Sequence, residues 1–313
     1  GHDLMKLEKI TLANYRGFDQ IDLAFSHDVT VLAGVNGVGK SGVLKALTSA
    51  LSLAMPKFTV SREIPLGLSN TDVQSGRPGL SISVSLGLDV AKVIVDLTRA
   101  APLAADKAEG LIKRRDDLRF AIRETRKGTK EELNINDQIR LIEDQLDHAT
   151  DISSVRILPD DTTIDRDEFA ARLKGNGKQP LAVFYSTARF LSRLPPTLPK
   201  TKDIDAGTAY DKALTQLEVS LNDFANWYRV VESVATAEAK DQLFQQLEQA
   251  IQAFLPEVHD LFLQEDRPPR FSLTKKGRLL FLEQLSDGER GLLALVFDLT
   301  RRLAIANPES DNP

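Results

Sequence analysis

The sequence contains no cysteine and only four histidines among its 313 residues. The absence of cysteine excludes disulfides, thiolate metal sites and a cysteine nucleophile. The histidines are scattered without the spacing of metal ligands. No apolar run approaches the ~20 residues of a membrane-spanning helix, and no signal peptide is visible. These absences lead us to expect a cytoplasmic protein with no membrane contact.

An excess of basic residues is also missing. Lysine and arginine total 40 against 45 aspartates and glutamates, which gives a formal net charge of -5. Any contact with nucleic acid would therefore need a local basic patch, because counterion release requires clustered cations. A hydrophobic content of 42% and a charged content of 27% are typical of a globular chain with a substantial core.

Residues 34–41 form an octet that fits the P-loop pattern G-x-x-x-x-G-K-[ST]. A β-type run, Val29–Ala33, precedes it, and an apolar helical segment, 42–55, follows it. This context favours a P-loop over a chance glycine-rich turn. In a P-loop, backbone N–H groups and the positive end of the helix dipole surround the triphosphate. The lysine reaches the β- and γ-phosphates, and the hydroxyl binds Mg²⁺. We therefore expect the following residues to bind ATP, with Ser41 as the Mg²⁺ ligand: Gly34, Val35, Asn36, Gly37, Val38, Gly39, Lys40 and Ser41.

Short β-type runs surround this motif. The segments 6–12 and 20–25 flank a turn, 13–18, and lead towards the P-loop. Residues 80–88 alternate strictly between apolar and small or polar side chains, which is typical of a half-buried strand. Residues 93–97 provide a partner. The pattern predicts antiparallel β-structure beside the P-loop core.

The segment 103–150 differs from the rest of the chain in its high charge. Apolar residues recur at helical spacing in two sets, separated by the turn-like residues 126–129. We interpret the segment as two helices folded back into an antiparallel hairpin. Because the apolar stripes are narrow and short, two ordinary surface helices packed on the domain stay an alternative.

Further elements follow towards the carboxyl end. The pattern predicts, in order, a strand at 152–158, a helix at 167–173, a buried strand at 181–185, helical structure over 209–263 broken near Pro256, and a β-hairpin pairing 271–273 with 279–282 around 275–277.

A second motif, residues 285–291, reads Leu-Ser-Asp-Gly-Glu-Arg-Gly and precedes an apolar helix, 292–304. Taken alone, Ser286 and Glu289 form a capping box that explains the start of a helix. Together with the upstream P-loop, however, the motif resembles the signature of ATP-binding-cassette (ABC) ATPases. The Leu-Ser-Asp-Gly-Glu variant is most similar to the branch that contains the SMC, RecF and OLD-like proteins.

Two further elements strengthen the resemblance. Residues 14–18, Asn-Tyr-Arg-Gly-Phe, are similar to the N-F-[RK]-[SG]-F element of these heads, which implies that Arg16 approaches the nucleotide phosphates. Residues 184–189 resemble the F-Y-x-T-x-R element of AAA ATPases from bacterial phage defence, such as the Septu ATPase. The family also carries a helical insertion between P-loop and signature, where 103–150 lies.

The resemblance implies an α/β fold: a P-loop NTPase head of ABC type with an antiparallel β subdomain and an inserted helical hairpin. One incomplete head would comprise a P-loop and β lobe (1–102), the hairpin (103–150) and the remainder with the signature (151–313). The family's Walker B carboxylates and switch histidine are not assignable within these residues. We therefore leave the catalytic residues unassigned and expect the chain to bind ATP better than it hydrolyses it.

In this family the signature acts across a dimer, on the nucleotide of the partner head. The resemblance therefore implies a homodimer or higher homo-oligomer, driving an effector in DNA metabolism or antiviral defence, with DNA or a nuclease as possible partners. A nucleotide-sensing module that controls a partner nuclease stays an alternative. A transporter cassette is disfavoured, because transporter heads lack the N-Y-R-G-F opening and have a much shorter interval between the two motifs. A kinase needs a lid with mobile arginines, and a GTPase needs an N-K-x-D guanine reader, which this chain does not contain. The residues assigned to this role in trans are Ser286, Asp287, Gly288 and Glu289.

Overall fold

The computed structural model describes residues 5–34, 39–88, 91–100, 105–125, 127–147, 151–159, 163, 165–175, 179–187 and 190–308. Contacts divide the chain into two compact units. The first comprises Gly1–Ala54 and Pro65–Arg166, and the second comprises Met55–Ile64 and Asp167–Pro313. The subdivision of a single head at residues 102 and 150 stays a prediction.

The first unit is built on a five-stranded antiparallel sheet of order β2-β1-β3-β4-β5. Its strands alternate apolar and polar side chains, so that one face is buried through residues such as Ile10, Ile82 and Val95. The expected antiparallel β-structure is confirmed. The strands are β1 (Lys6–Tyr15), β2 (Phe18–Ala24), β3 (Gly79–Leu88), β4 (Ala91–Ala100) and β5 (Asp151–Pro159).

Helix α1 (Lys40–Phe58) follows the P-loop octet, and helices α2 (Ala105–Glu124) and α3 (Lys130–Asp147) form the expected hairpin between β4 and β5. Arg119 of α2 forms an ion pair with Glu143 of α3. Ile142 is buried, whereas Phe120 and Leu141 leave more than half of their surface exposed. The two helices therefore bury little apolar surface beyond their shared seam.

The second unit combines helices with a three-stranded antiparallel sheet of order β6-β7-β8. Phe224, Phe271 and Phe297 are fully buried and form the centre of its core, with the Phe224 and Phe297 rings stacked 4.2 Å apart. The elements are α4 (Arg166–Gly175), α5 (Leu221–Val234), α6 (Ala237–Phe254), β6 (Val258–Gln264), β7 (Arg270–Lys275), β8 (Arg278–Phe281) and α7 (Asp287–Ala306).

Two expected strands are wrong. Residues 29–33 and 181–185 have no regular secondary structure, and Val29 and Val31 are 73% and 80% exposed. A strand needs a neighbour to bond its N–H and C=O groups. Within the described residues neither segment belongs to a sheet, so their β-type composition does not produce strands.

Three expected boundaries also differ. The helical interpretation of 209–263 is wrong at both ends. Residues 211–220 form turns and irregular chain before α5, and 258–264 forms strand β6 against β7. Residues 13–15, expected as turn, extend β1, because Tyr15 pairs with Phe18 and is fully buried. Helix α7 begins at Asp287 and not at 292, because Ser286 caps it. The hairpin of β7 and β8 around Lys276 and Gly277 is confirmed.

Candidate nucleotide-binding site

Lys40 lies at the start of α1, and its Nζ donates a hydrogen bond to the carbonyl oxygen of Gly34 at 2.7 Å. The two ends of the P-loop octet therefore lie close together. Residues 35–38, which carry four of the expected nucleotide contacts, lie outside the described part of the chain. Ser41 is exposed in the first turn of α1. No acidic residue occupies that turn, so the positive end of the helix dipole is not offset locally.

The turn of the Asn-Tyr-Arg-Gly-Phe element packs directly on this helix start. A Cβ atom on Gly39 would lie 2.7 Å from the ring atoms of Phe18, and one on Gly42 would lie 3.3 Å from Arg16 Cδ. Gly39 has a φ of +98°, a conformation that L-residues with side chains rarely adopt. The two glycines thus permit a close approach between the helix start and the turn, which brings Arg16 beside the P-loop helix as expected.

Arg16 is held by Asp72, a residue that the sequence analysis did not single out. Asp72 Oδ1 accepts a hydrogen bond from Arg16 Nε at 2.8 Å and forms an ion pair with Arg16 Nη2, also at 2.8 Å. Asp72 is 1% exposed. Burial raises the pKa of the neighbouring Tyr15 hydroxyl to about 12, and the Asp72 charge adds to that shift. Asp72 ends a short 3-10 turn, Asn70–Asp72, and its burial is not visible in the sequence; a buried carboxylate requires a partner, which here is Arg16.

The signature motif lies at the start of α7 in the second unit. Ser286 is the N-cap: its Oγ accepts from Glu289 N, and Glu289 Oε1 accepts from Ser286 N. Glu289 Oε2 also accepts from Lys275 Nζ at 2.6 Å. The Lys275 bond first, and then the Ser286 bond, lower the pKa of Glu289 below its ordinary value of 4.5. The capping box is therefore present in full.

At Gly288, unlike the other signature residues, contacts within the chain do not explain the residue type, because packing there does not require a glycine. It is exposed in the first turn of α7, and a Cβ atom placed on it would meet open space. Asp287 is exposed and forms an ion pair with Arg290. Ser286, Asp287 and Gly288 thus form an exposed surface at a helix N-terminus, where backbone N–H groups point outward.

A cavity of about 640 Å³ lies beside the signature. One wall comes from the first turns of α7, and another from the segment that follows the Phe-Tyr-Ser-Thr-Ala-Arg element, whose residues 188 and 189 lie outside the described chain. The lining residues are Thr187, Phe190, Leu191, Ser192, Arg193, Leu221, Leu282, Glu283, Asp287, Arg290 and Gly291.

The same element is tied to α7 by a buried charged network that the sequence analysis also missed. Tyr185 OH donates to Asp298 Oδ2 at 2.8 Å, and Asp298 forms ion pairs with Arg301 and Arg302. Arg302, only 2% exposed, also donates to the carbonyl of Ala209. Burial and the Asp298 charge raise the pKa of Tyr185 well above its usual range. This network connects the signature helix with the segment bordering the cavity.

Two negative findings concern the described residues. They contain no group of three or more histidine, aspartate or glutamate side chains that could hold a metal ion. None of their helices is long and apolar enough to cross a bilayer.

Residues 5–257 match the family model described as an AAA ATPase domain. The retron Ec83 probable ATPase of Escherichia coli is 25% identical over 335 aligned residues, covering 99% of this chain and 61% of that protein. The DNA replication and repair protein RecF of Oceanobacillus iheyensis is 29% identical over 161 residues, which cover 51% of this chain and 33% of the RecF protein. The chain thus spans less than two thirds of these relatives.

A solved structure, described as the recombination mediator protein RecF-ATP in the RecFOR pathway, aligns with this chain; the alignment covers 96% of this chain and 81% of the RecF chain. Its TM-score is 0.36 and its sequence identity 9%. The family match and the sequence relatives confirm the resemblance to SMC/RecF/OLD-like ATPase heads.

Proposed function

Because the chain belongs to the AAA ATPase domain family, we propose that it uses ATP to pair two heads and hydrolysis to release them. The ATPase assignment follows from the family. The pairing, the residues that carry it and the effector it drives are the finer parts of the proposal.

In this proposal, ATP binds at the start of α1. The N–H groups of residues 34–39 surround the triphosphate, Lys40 contacts the β- and γ-phosphates, and Arg16 contacts the phosphates from the side of the adjoining turn. The Ser41 hydroxyl and phosphate oxygens hold Mg²⁺, an arrangement suited to a cation that takes few protein ligands. When bound, Mg²⁺ neutralises charge on the phosphates.

The observation that carries the pairing is the open space around Gly288. Glycine costs about 1 kcal/mol relative to alanine inside a helix. Apart from its chain neighbours and the backbone of its own helix, no atom of the described residues lies within 4 Å of the position of its missing Cβ, so packing gives no compensation for that cost. A ligand that must come close to the backbone N–H groups explains the glycine. We assign that ligand to the γ-phosphate on a second copy of the chain, with Ser286 beside it.

The names of the relatives support an output linked to nucleic acid. One is a retron ATPase and another a DNA replication and repair protein. We therefore propose that head pairing drives an effector that acts on DNA or in defence against phage, with a nuclease as the preferred partner.

Sedimentation with a non-hydrolysable ATP analogue and Mg²⁺ tests the pairing. The parent chain is expected to dimerise when the analogue is added. Ser286→Arg should bind the analogue like the parent but stay monomeric, because the arginine occupies the space of the partner's γ-phosphate. Gly288→Ala should gain helix stability yet pair more weakly.

Thr236→Arg provides the matched control. Thr236 caps α6 as Ser286 caps α7, so each substitution removes a cap worth about 1 kcal/mol. Only the Ser286 variant should lose pairing. If Ser286→Arg and Gly288→Ala dimerise with nucleotide to the same extent as the parent, the pairing role is contradicted and the motif is only a helix cap.

A further inference from the structure

Asp72 is a buried carboxylate whose two oxygens both have defined partners. Oδ1 accepts a hydrogen bond from Arg16 Nε and is ion-paired with Arg16 Nη2, each at 2.8 Å. Oδ2 accepts from the backbone N–H of Ser69 at 2.7 Å. The exposed fraction of the Asp72 side chain is 2%, against 33% for Arg16. The aspartate is therefore fixed inside the first unit, while the arginine reaches from it to the surface.

The backbone around Asp72 holds the same turn. Arg16 N donates to the Asp72 carbonyl at 2.7 Å, and Gln74 N donates to the Asn14 carbonyl at 2.9 Å. Asn14 and Arg16 both have φ values of 52°, in the left-handed region that is uncommon for residues other than glycine. Such a conformation persists where its surroundings enforce it. The segment containing Asp72 supplies that constraint on both sides of Tyr15.

The fixed guanidinium lies beside the start of α1. Arg16 Cδ would be 3.3 Å from a Cβ atom on Gly42, two residues beyond Lys40. A guanidinium carries five N–H donors in a rigid plane, and two of them point to Asp72. The hydrogens on Nη1 and the second hydrogen on Nη2 remain for an anion bound at this helix start.

We propose that Asp72 is a positioning residue for ATP binding: it orients the Arg16 guanidinium so that these remaining donors face the phosphates at the start of α1. This inference rests on the proposed function, because it takes ATP as the anion. Asp72 itself does not touch the nucleotide. Arg16 Nε and Nη2 both lie 2.8 Å from the one buried oxygen Oδ1, so one edge of the guanidinium plane is held against Asp72. A surface arginine without such a partner has no fixed orientation.

Calorimetric titration with Mg-ATP tests the inference on the whole chain. Asp72→Asn should weaken binding about tenfold, the scale of one charge-assisted hydrogen bond. Arg16→Ala should weaken it at least as much. The double variant should bind no more weakly than Arg16→Ala alone, because Asp72 acts only through Arg16. A purely structural aspartate would instead give additive effects, or lower the melting temperature while leaving ATP affinity unchanged.

Arg16→Lys tests the orientation without removing a buried charge. It keeps the cation but loses the planar fork, so we expect ATP binding as weak as that of Asp72→Asn. Asp96→Asn is the control: this aspartate on β4 pairs with Arg156 and accepts from Ser83, away from the turn. Its ATP affinity should equal that of the parent.

The outcomes separate this inference from the proposed function. Parent-like binding by Lys40→Ala would refute the nucleotide site and, with it, the role of Asp72. Loss of binding in Lys40→Ala together with parent-like binding in Asp72→Asn and Arg16→Lys would overturn the role of Asp72 alone. Tighter binding in Asp72→Asn would also overturn it, since the aspartate would then withhold Arg16 from the phosphates.

Discussion

Gly39 lies so close to Phe18 that a Cβ atom on the glycine would be 2.7 Å from two carbons of the ring. The last glycine of the P-loop octet thus packs on the last residue of the Asn-Tyr-Arg-Gly-Phe element. Two motifs that are separate in the sequence form one structure around the start of α1. This contact explains why the turn carrying Arg16 is held beside Lys40.

Gly39→Ala should destabilise the chain and weaken ATP binding. Alanine at a φ of +98° adds backbone strain, worth about 1–3 kcal/mol, and its methyl group would displace the Phe18 ring. Chemical denaturation and calorimetric titration with Mg-ATP measure the two effects.

Gly76→Ala is the matched control for Gly39→Ala. Gly76 also has a positive φ, +78°, but a Cβ atom there would meet nothing within 4 Å. It should lose stability through strain alone and bind ATP like the parent. Equal ATP affinity in the Gly39 and Gly76 variants would mean that the contact with Phe18 has no part in forming the site.

Replacing residues 103–150 with a short glycine/serine linker should preserve the fold and ATP binding. Strands β4 and β5 are antiparallel neighbours, with Arg99 opposite Asp151 and ion-paired to it at 2.6 Å. The ends of the insertion are therefore adjacent and can be joined by a tight turn. Melting curves with and without Mg-ATP provide the measurement. Loss of cooperative melting would favour the alternative that these helices are part of the core.

Glu289 should make stability depend on pH. Its pKa is lowered in the folded chain by Lys275 and then by Ser286, so the ionised form favours folding. This contribution is fully present above the ordinary value of 4.5 and is lost as the pH falls through the lowered folded value. Denaturation of the parent and of Glu289→Gln across pH 3–7 (about the range of carboxylate titration) should show a difference that narrows on acidification. A difference independent of pH would contradict this origin.

Much of the fold was predictable because a strand or helix with one buried face requires apolar residues at regular spacing in the sequence. Strand β3 alternates over its whole length, and the turn of β7 and β8 uses Gly277 at a positive φ. The P-loop octet, the signature motif and the element around Arg16 were also recognisable as sequence patterns, because each has its residues at a fixed spacing; their contacts with nucleotide stay a prediction.

The remaining features depend on partners distant in the sequence. Residues 29–33 and 181–185 have the composition of strands, but no neighbouring strand pairs with them in the described chain. Asp72 ends a short 3-10 turn, Asn70–Asp72, and lies 56 positions from Arg16. No local pattern indicates that Asp72 will meet Arg16, so this pair emerged only from the structure. Asp298 differs, because its partners Arg301 and Arg302 lie three and four positions further along the same helix, a spacing that was readable from the sequence.

The proposed function depends most directly on ATP binding at Lys40. Calorimetric titration of Lys40→Ala with Mg-ATP should show no binding, while its melting curve without nucleotide stays close to that of the parent, because the hydrogen bond from Lys40 to the Gly34 carbonyl lies in exposed surroundings at the start of α1. Lys45→Ala, an exposed lysine on the same helix, should bind ATP like the parent. Unchanged ATP affinity in Lys40→Ala would contradict the P-loop assignment and the proposed function built on it.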